Sequence, residues 1–243
     1  MSVPVFLAAA ETLTRDEILL DGPEGRHAAT VRRLRPGERV DLTDGAGQVA
    51  ECVVRDARKD ALLLAVQARY GVPSPTPRLV VVQGLPKGDR GELAVEMMTE
   101  AGVDEIVPWS AARCVVQWKG ERAAKPLARW RATAREAGKQ SRRFHLPQVA
   151  DLASTAQVAE RLRAAALAIV LHEEAERPLS RLDLPSGGDI VLVVGPEGGI
   201  APDEIDRFRA AGAVPALLGP TVLRTSTAGV AAAAVLLART GRW

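Results

Sequence analysis

The 243 residues are 47% apolar and 26% charged, which excludes intrinsic disorder and supplies material for one or two packed cores. Only eight side chains are Phe, Trp or Tyr, so packing must rest on Val, Leu, Ile and Ala. Cys52 and Cys114 stand far apart and in no Cys-x-x-Cys, which excludes a disulfide framework and predicts a reducing compartment.

In chain order, the N-terminus lacks a basic region ahead of Glu11, so no secretory signal is expected. Residues 25–70 read as short strands between turns. Pro36-Gly37 precedes ERVDLTD, Asp44-Gly45 leads to QVAECVVRD, and a charged turn at 58–60 precedes ALLLAVQA. Alternation at Val40 and Leu42, and at Val49, Cys52 and Val54, predicts half-buried strands of a small barrel or sandwich. GVPSPTP at 71–77 is a stiff connection, which sets the expected boundary between a domain of residues 1–72 and one of residues 73–243.

Beyond it the texture changes. Apolar runs at 79–83, 105–109, 167–172, 190–195 and 214–219 read as buried parallel strands. Helical patterns lie at 91–101, about 126–143, 155–165, 203–211 and 226–239, and the alternation predicts an α/β domain. The longest uncharged C-terminal stretch, Thr225 to Ala238, falls short of the about 20 residues that span a bilayer, so a soluble cytoplasmic protein is expected.

The formal net charge of +2 conceals an asymmetry. Lys119 to His145 holds nine basic and two acidic residues, while the segments 1–72, 73–118 and 146–243 are each slightly acidic. On a helix, Arg131, Arg135, Lys139 and Arg142 share one face and Trp130, Ala134, Ala137 and Ser141 another. Like charges at this spacing repel, so a polyanion would stabilise such a helix. A solvated helix face is the alternative. Scarce aromatic residues argue for backbone contact with structured nucleic acid rather than a stacking platform.

Ligands of open parallel sheets bind beyond the carboxyl ends of strands. Three such ends are unusual here: a first loop at His172-Glu173-Glu174, a second at Gly195-Pro196-Glu197-Gly198-Gly199, and a third running from Gly219 to Ala228. The second has neither the Gly-Lys-Ser/Thr of a P-loop nor a GxGxxG. The third leads into an Ala-rich helix with Thr225, Ser226 or Thr227 as candidate N-cap, and its Arg224 needs a carboxylate or a ligand as partner. The three histidines lack metal-ligand spacing, and no metal is expected.

GPEGG at a strand end, followed by LGPTVLRTSTA, resembles the SPOUT superfamily of S-adenosylmethionine-dependent RNA methyltransferases, and more narrowly the RsmE family. Further similarities are His27-x3-Val31-x-Arg33 before Pro36-Gly37, Gln83-Gly84-Leu85-Pro86-Lys87, Thr99-Glu100-x-Gly102-Val103, and Glu136-x3-Gln140-x2-Arg143-x3-Pro147. Ser226, Ala101 and Met97 depart from the family pattern, which more often has Glu, Leu and Lys.

The resemblance implies a PUA-like β-barrel followed by a SPOUT α/β domain with a mostly parallel sheet and a trefoil knot, assembled as a homodimer. It implies methyl transfer from S-adenosylmethionine to N3 of a uridine in helix 44 of 16S ribosomal RNA, within the 30S subunit. The implied cofactor shell is Leu171, His172, Gly195, Glu197, Gly199, Leu218, Gly219, Leu223, Arg224, Thr225 and Ala228. Arg143 and Arg224 become candidates for stabilising the uridine anion, and Gln140 for reading the uracil edge. RNA contacts are expected at His27, Arg33, Lys87, Arg131, Arg135, Lys139, Arg142 and Arg143. The competing readings are a non-catalytic ribosome-assembly or rRNA-binding factor that keeps the basic helix and lacks the chemistry, and a small-molecule nucleotide enzyme in which the basic helix is incidental.

Overall fold

The computed structural model describes residues 3–118 and 120–243; Lys119, the first residue of the basic segment, lies outside them. The chain divides into two compact units, Met1–Ser74 with Gly138–Leu146, and Pro75–Ala137 with Pro147–Trp243.

The first unit contains β1 (Val5–Leu7), α1 (Ala10–Leu13), β2 (Glu17–Leu20), α2 (Gly22–Arg26), a π-helical turn at His27–Val31, β3 (Arg39–Thr43), β4 (Gln48–Ala57) and β5 (Leu62–Gly71). Its sheet has the order β1-β3-β4-β5-β2, with β1 parallel to β3 and the other pairs antiparallel. Register shifts at Glu51/Cys52 and Val54/Asp56 curl it, since each extra residue adds local bend and twist. Alternation does the rest. Val40 and Leu42 face inward with Phe6, Ile18, Cys52, Leu62 and Leu64, and Arg39 faces solvent.

The segment 138–146 belongs to this unit through specific bonds. Lys139 Nζ meets Glu24 Oε1 at 2.9 Å, with side chains 7% and 11% exposed. The Phe144 carbonyl accepts from the Gly47 N–H at 2.9 Å and the Thr43 hydroxyl at 3.3 Å. His145 Nε2 lies 2.8 Å from the Val72 carbonyl. Gly47 has φ +101°, and a Cβ there would sit 2.5 Å from the His145 ring, so only glycine fits.

The second unit runs β6 (Arg78–Gly84), α3 (Arg90–Ala101), β7 (Glu105–Trp109), α4 (Ala124–Gln140, its last three residues counted with the first unit), β8 (Gln148–Val149), α5 (Thr155–Ala164), β9 (Leu167–Leu171), β10 (Asp189–Val194), α6 (Pro202–Ala210), β11 (Val214–Ala216) and α7 (Thr225–Arg239). The six strands pair in parallel in the order β11-β9-β10-β6-β7-β8. Here apolar and polar residues do not alternate: β6, β7 and β10 are buried on both faces and read as continuous apolar runs, as helix-covered parallel strands do. Trp130 of α4 packs where a Cβ on Gly91 of α3 would come within 2.8 Å, which makes that glycine the seat of the indole.

Three sequence expectations change here. Helix α4 stops at Gln140, and Arg142 adopts φ +57° beyond it. The Arg142 N–H donates to the Lys139 carbonyl and the Arg143 N–H to the Gly138 carbonyl, a Schellman ending with Arg where glycine is usual. Arg142 therefore does not continue the helical face. Lys139, expected to contact RNA, is buried against Glu24 and leaves that face too. The N-cap of α7 is Arg224, whose extended backbone (φ −66°, ψ 150°) replaces the expected hydroxyl cap; the Thr225 hydroxyl donates instead to the Gly195 carbonyl at 2.6 Å. Among the described residues, no helix is long and apolar enough to cross a membrane.

Candidate functional site

The chain runs to one side of β6 through β7 and β8 and to the other through β9, β10 and β11, and the carboxyl ends of β9, β10 and β11 open on one cavity of about 940 Å³ within the second unit. This is the switch-point position at which open parallel sheets bind ligands, and the volume is that of a small-molecule site. All eleven residues of the expected cofactor shell line it: Leu171 and His172 from the end of β9, Gly195, Glu197 and Gly199 after β10, and Leu218, Gly219, Leu223, Arg224, Thr225 and Ala228 after β11.

Each loop is held by its own bonds. In the first, the Glu174 N–H donates to His172 Nδ1 at 3.2 Å, so the ring caps its own turn, and the His172 N–H donates to the Ala216 carbonyl at 3.1 Å. In the second, the Gly199 N–H donates to the Pro196 carbonyl at 2.9 Å and Gly199 takes φ +74°, a conformation glycine adopts without strain. Crowding also excludes side chains there: a Cβ on Gly198 would stand 2.7 Å from the Arg113 carbonyl oxygen. Glu197 Oε1 accepts from the Lys87 N–H at 3.1 Å and lies 3.8 Å from Arg90, which ties the β6–α3 connection to the loop. The third loop is anchored by Thr225 on Gly195, while Val222 is 81% exposed.

The guanidinium of Arg224 makes no hydrogen bond or ion pair among the described residues and lines the cavity; it does not tie down its loop. Arg90, Arg113 and Arg209 also line the cavity, facing Glu173, Glu174, Glu197 and Asp206, so the wall mixes both signs with the apolar Leu171, Leu218 and Leu223. Such a wall fits a zwitterionic ligand with an apolar body.

Other expected residues lie elsewhere. Gln140 and Arg143 are not among the lining residues; they belong to the 138–146 segment of the first unit. Arg131 and Arg135 are exposed on α4, Arg131 with its Nη2 2.8 Å from Asp151. Arg33 is exposed with φ +55° after the π-helical turn. His27 packs its ring edge-on against the buried Phe6 at 5.7 Å, a structural contact in the first unit. Lys87 is exposed beside Glu197.

Sequence reasoning missed the supports of the cavity. Glu204 is 3% exposed, and its carboxylate accepts from the Ala112 N–H (2.9 Å), the Thr155 hydroxyl (2.8 Å) and the Ala201 N–H (3.1 Å). It holds the turn before Arg113 against the start of α6. Its position three residues into a helix after Ala-Pro-Asp was a readable capping signal; the bonds to Ala112 and Thr155 had none.

Burial raises the Cys52 thiol to about 11, with Asp41 adding to the effect, and burial also pushes the Cys114 thiol up, so neither is a nucleophile.

A family model described as an RNA methyltransferase domain matches residues 72–237, and one described as an RNA methyltransferase PUA domain matches residues 20–67. The parallel sheet with its strand-end cavity and the curled N-terminal sheet thus define an RNA methyltransferase of SPOUT type with a PUA-like domain. The chain belongs to the ribosomal RNA small subunit methyltransferase E family. It is 50% identical to the Mycobacterium bovis member over 93% of this chain and 87% of that one, and 32% identical to the Bacillus subtilis member over 86% and 85%. It is also similar to the Neisseria gonorrhoeae enzyme bound to S-adenosyl methionine, with TM-score 0.84, 27% identity, and 98% of each chain covered. A putative methyltransferase from Legionella pneumophila, solved with the bound cofactor SAM, gives TM-score 0.83 and 26% identity over 98% of each chain.

Proposed function

We propose that this protein is a cytoplasmic, homodimeric methyltransferase that uses S-adenosylmethionine to methylate N3 of a uridine in helix 44 of 16S ribosomal RNA, within the 30S subunit, its C-terminal segment knotted as in the SPOUT class. The carrying observation is the cavity lined by all three strand-end loops, with Arg224 on its wall and its guanidinium unpartnered among the described residues. Glycine backbone, leucine side chains and charges of both signs suit a donor with an apolar adenosine body, an amino-acid tail and a sulfonium.

S-adenosylmethionine, when bound, supplies a methyl group activated for transfer to a nucleophile. The chain itself must orient the uracil and favour loss of its N3 proton. Arg224 would lower the cost of the resulting anion by opposite charge in a partly desolvated wall. Arg143 and Gln140 are proposed to assist it, one as a second cation and the other at the uracil edge. Glu197 is occupied by the Lys87 N–H, so its carboxylate serves first to shape the loop. Exposed Arg33, Lys87, Arg131, Arg135 and Arg142, with Arg143, are the proposed contacts to the RNA backbone.

Mass mapping of nucleosides in rRNA from cells lacking the protein tests this reading. It predicts loss of one N3-methyluridine from the small subunit, restored by the intact chain and not by Arg224→Ala. An unchanged modification map would leave the assembly-factor reading in its place.

A further inference from the structure

Behind the cavity wall stands a side chain that does not itself line the cavity. Gln83, at the carboxyl end of β6, is fully buried. Its amide nitrogen donates to Thr225 Oγ1 at 2.9 Å and to the Gly84 carbonyl at 3.1 Å. Thr225 Oγ1 in turn donates to the Gly195 carbonyl at 2.6 Å. Thr225 and Gly195 both line the cavity, one from the third loop and one from the second.

The protons fix the sense of this relay. A hydroxyl has one proton to give, and here it goes to Gly195, so Thr225 must accept from its other neighbour. Gln83 therefore presents nitrogen to Thr225 and Gly84, and its Oε1 is left buried with no hydrogen-bond partner among the described residues. Turning the amide round would set Oε1 against two acceptors, so the orphaned oxygen is the cost of keeping the relay intact. A glutamine with only a packing role has no reason to accept that cost.

We propose that Gln83 is a positioning residue for the methyl donor: acting as a hydrogen-bond donor through Thr225, it holds the second and third loops at the separation that binds S-adenosylmethionine. This rests on the reading of the cavity as the donor's site.

A glutamate at position 83 has the same shape and tests the donor role directly. Protonated, it still donates to Thr225 Oγ1. Ionised, it only accepts, competes with the Gly195 carbonyl for the Thr225 proton, and slackens the link between the loops. Among the described residues, the groups placed against this side chain are Gly84, Thr225 and Gly229, none of them charged, and the side chain is fully buried, so burial raises the pKa of the introduced acid.

The experiment is calorimetry on the full chain with S-adenosylhomocysteine, the demethylated product, across about pH 5.5 to 8.5, alongside Tm at each pH. Each Kd is divided by the wild-type value at the same pH. Gln83→Glu is expected to bind within about threefold of wild type at the acid end and at least about tenfold more weakly at the alkaline end. Gln83→Leu, which can neither donate nor accept, is expected to be about tenfold weaker throughout. A flat ratio for the glutamate variant, or near-wild-type binding by the leucine variant, overturns the proposal. Leu218→Trp separates the two failures, since it fills the cavity. If it binds normally, the cavity reading falls and the proposal with it; if it loses binding while Gln83→Leu keeps it, the proposal alone falls.

Discussion

Adding one methyl group to the second loop is the sharpest perturbation the structure suggests. In Gly198→Ala, the new Cβ would lie 2.7 Å from the Arg113 carbonyl oxygen and 3.0 Å from Arg113 Cβ. Ordinary contact begins near 3.4 Å, so something must move by about 0.7 Å. Arg113 cannot give easily. The residue before it is tied by its N–H to buried Glu204, which also holds Thr155 and Ala201. The second loop is exposed at Glu197–Gly199 and is the softer partner, so it moves away from Arg113. Overpacking of this kind costs about 1–3 kcal/mol, or about 2–10 °C in Tm for a chain of this size. A shift approaching 1 Å in a site costs up to about a hundredfold in function. Calorimetry with S-adenosylmethionine should therefore show Kd raised about 10- to 100-fold in a protein that remains folded by circular dichroism. Binding within twofold of wild type would refute the reasoning, because it would mean the GPEGG backbone is not a wall of the donor site.

The basic segment should separate into structural and exposed charges. Lys139→Ala removes the cation from the buried Glu24 carboxylate, which keeps the Leu7 N–H as a donor, and should lower stability by about 3 kcal/mol in urea unfolding, as breaking a buried pair does. Arg135→Ala should cost under about 0.5 kcal/mol while reducing the slope of log affinity against log salt for ribosomal RNA by about one; an unchanged slope removes Arg135 from the interface. Desolvation, and then Glu51, raise the Asp41 carboxyl above its ordinary 3.8, so the folded state holds that proton more tightly than the unfolded one. Its stabilising contribution is full below that ordinary value and is lost as pH rises through the raised one. Asp41→Asn should therefore have a higher Tm than wild type at neutral pH, with the gap closing below about pH 4; a constant gap contradicts the assignment. With Cys52 at about 11 and Cys114 also raised, iodoacetamide at about pH 8 should leave both thiols unmodified in the folded chain and label both in urea, read by intact mass.

The sheet of the second unit was legible because parallel strands buried on both faces leave unbroken apolar runs, and all but one of its strands lie on such runs. Gln148–Val149 is too short to carry a pattern, and the short β1 and β2 fell outside the region read as strands. Spacing placed Trp130, Ala134 and Ala137 on the buried side of α4 correctly. It failed at Lys139, because only the fold brings Glu24 there, and at Arg142, because the helix ends without the glycine or proline that signals a stop. The residues of the cavity were legible through family motifs, and they meet because successive loops leave the same end of a parallel sheet. Glu204 and Gln83 support that cavity through contacts spanning 49, 92 and 142 positions of sequence, and Arg113 through a backbone carbonyl against Gly198, and no local pattern encodes such partners.

A crystal structure of the full chain with S-adenosylhomocysteine tests the central claim most directly. The account predicts ligand density in the cavity, against the backbone of Gly195–Gly199 and the side chains of Leu171, Leu218 and Leu223, with Arg224 turned toward it. Ligand bound elsewhere, or the three loops filled by their own side chains in the presence of saturating ligand, would contradict it.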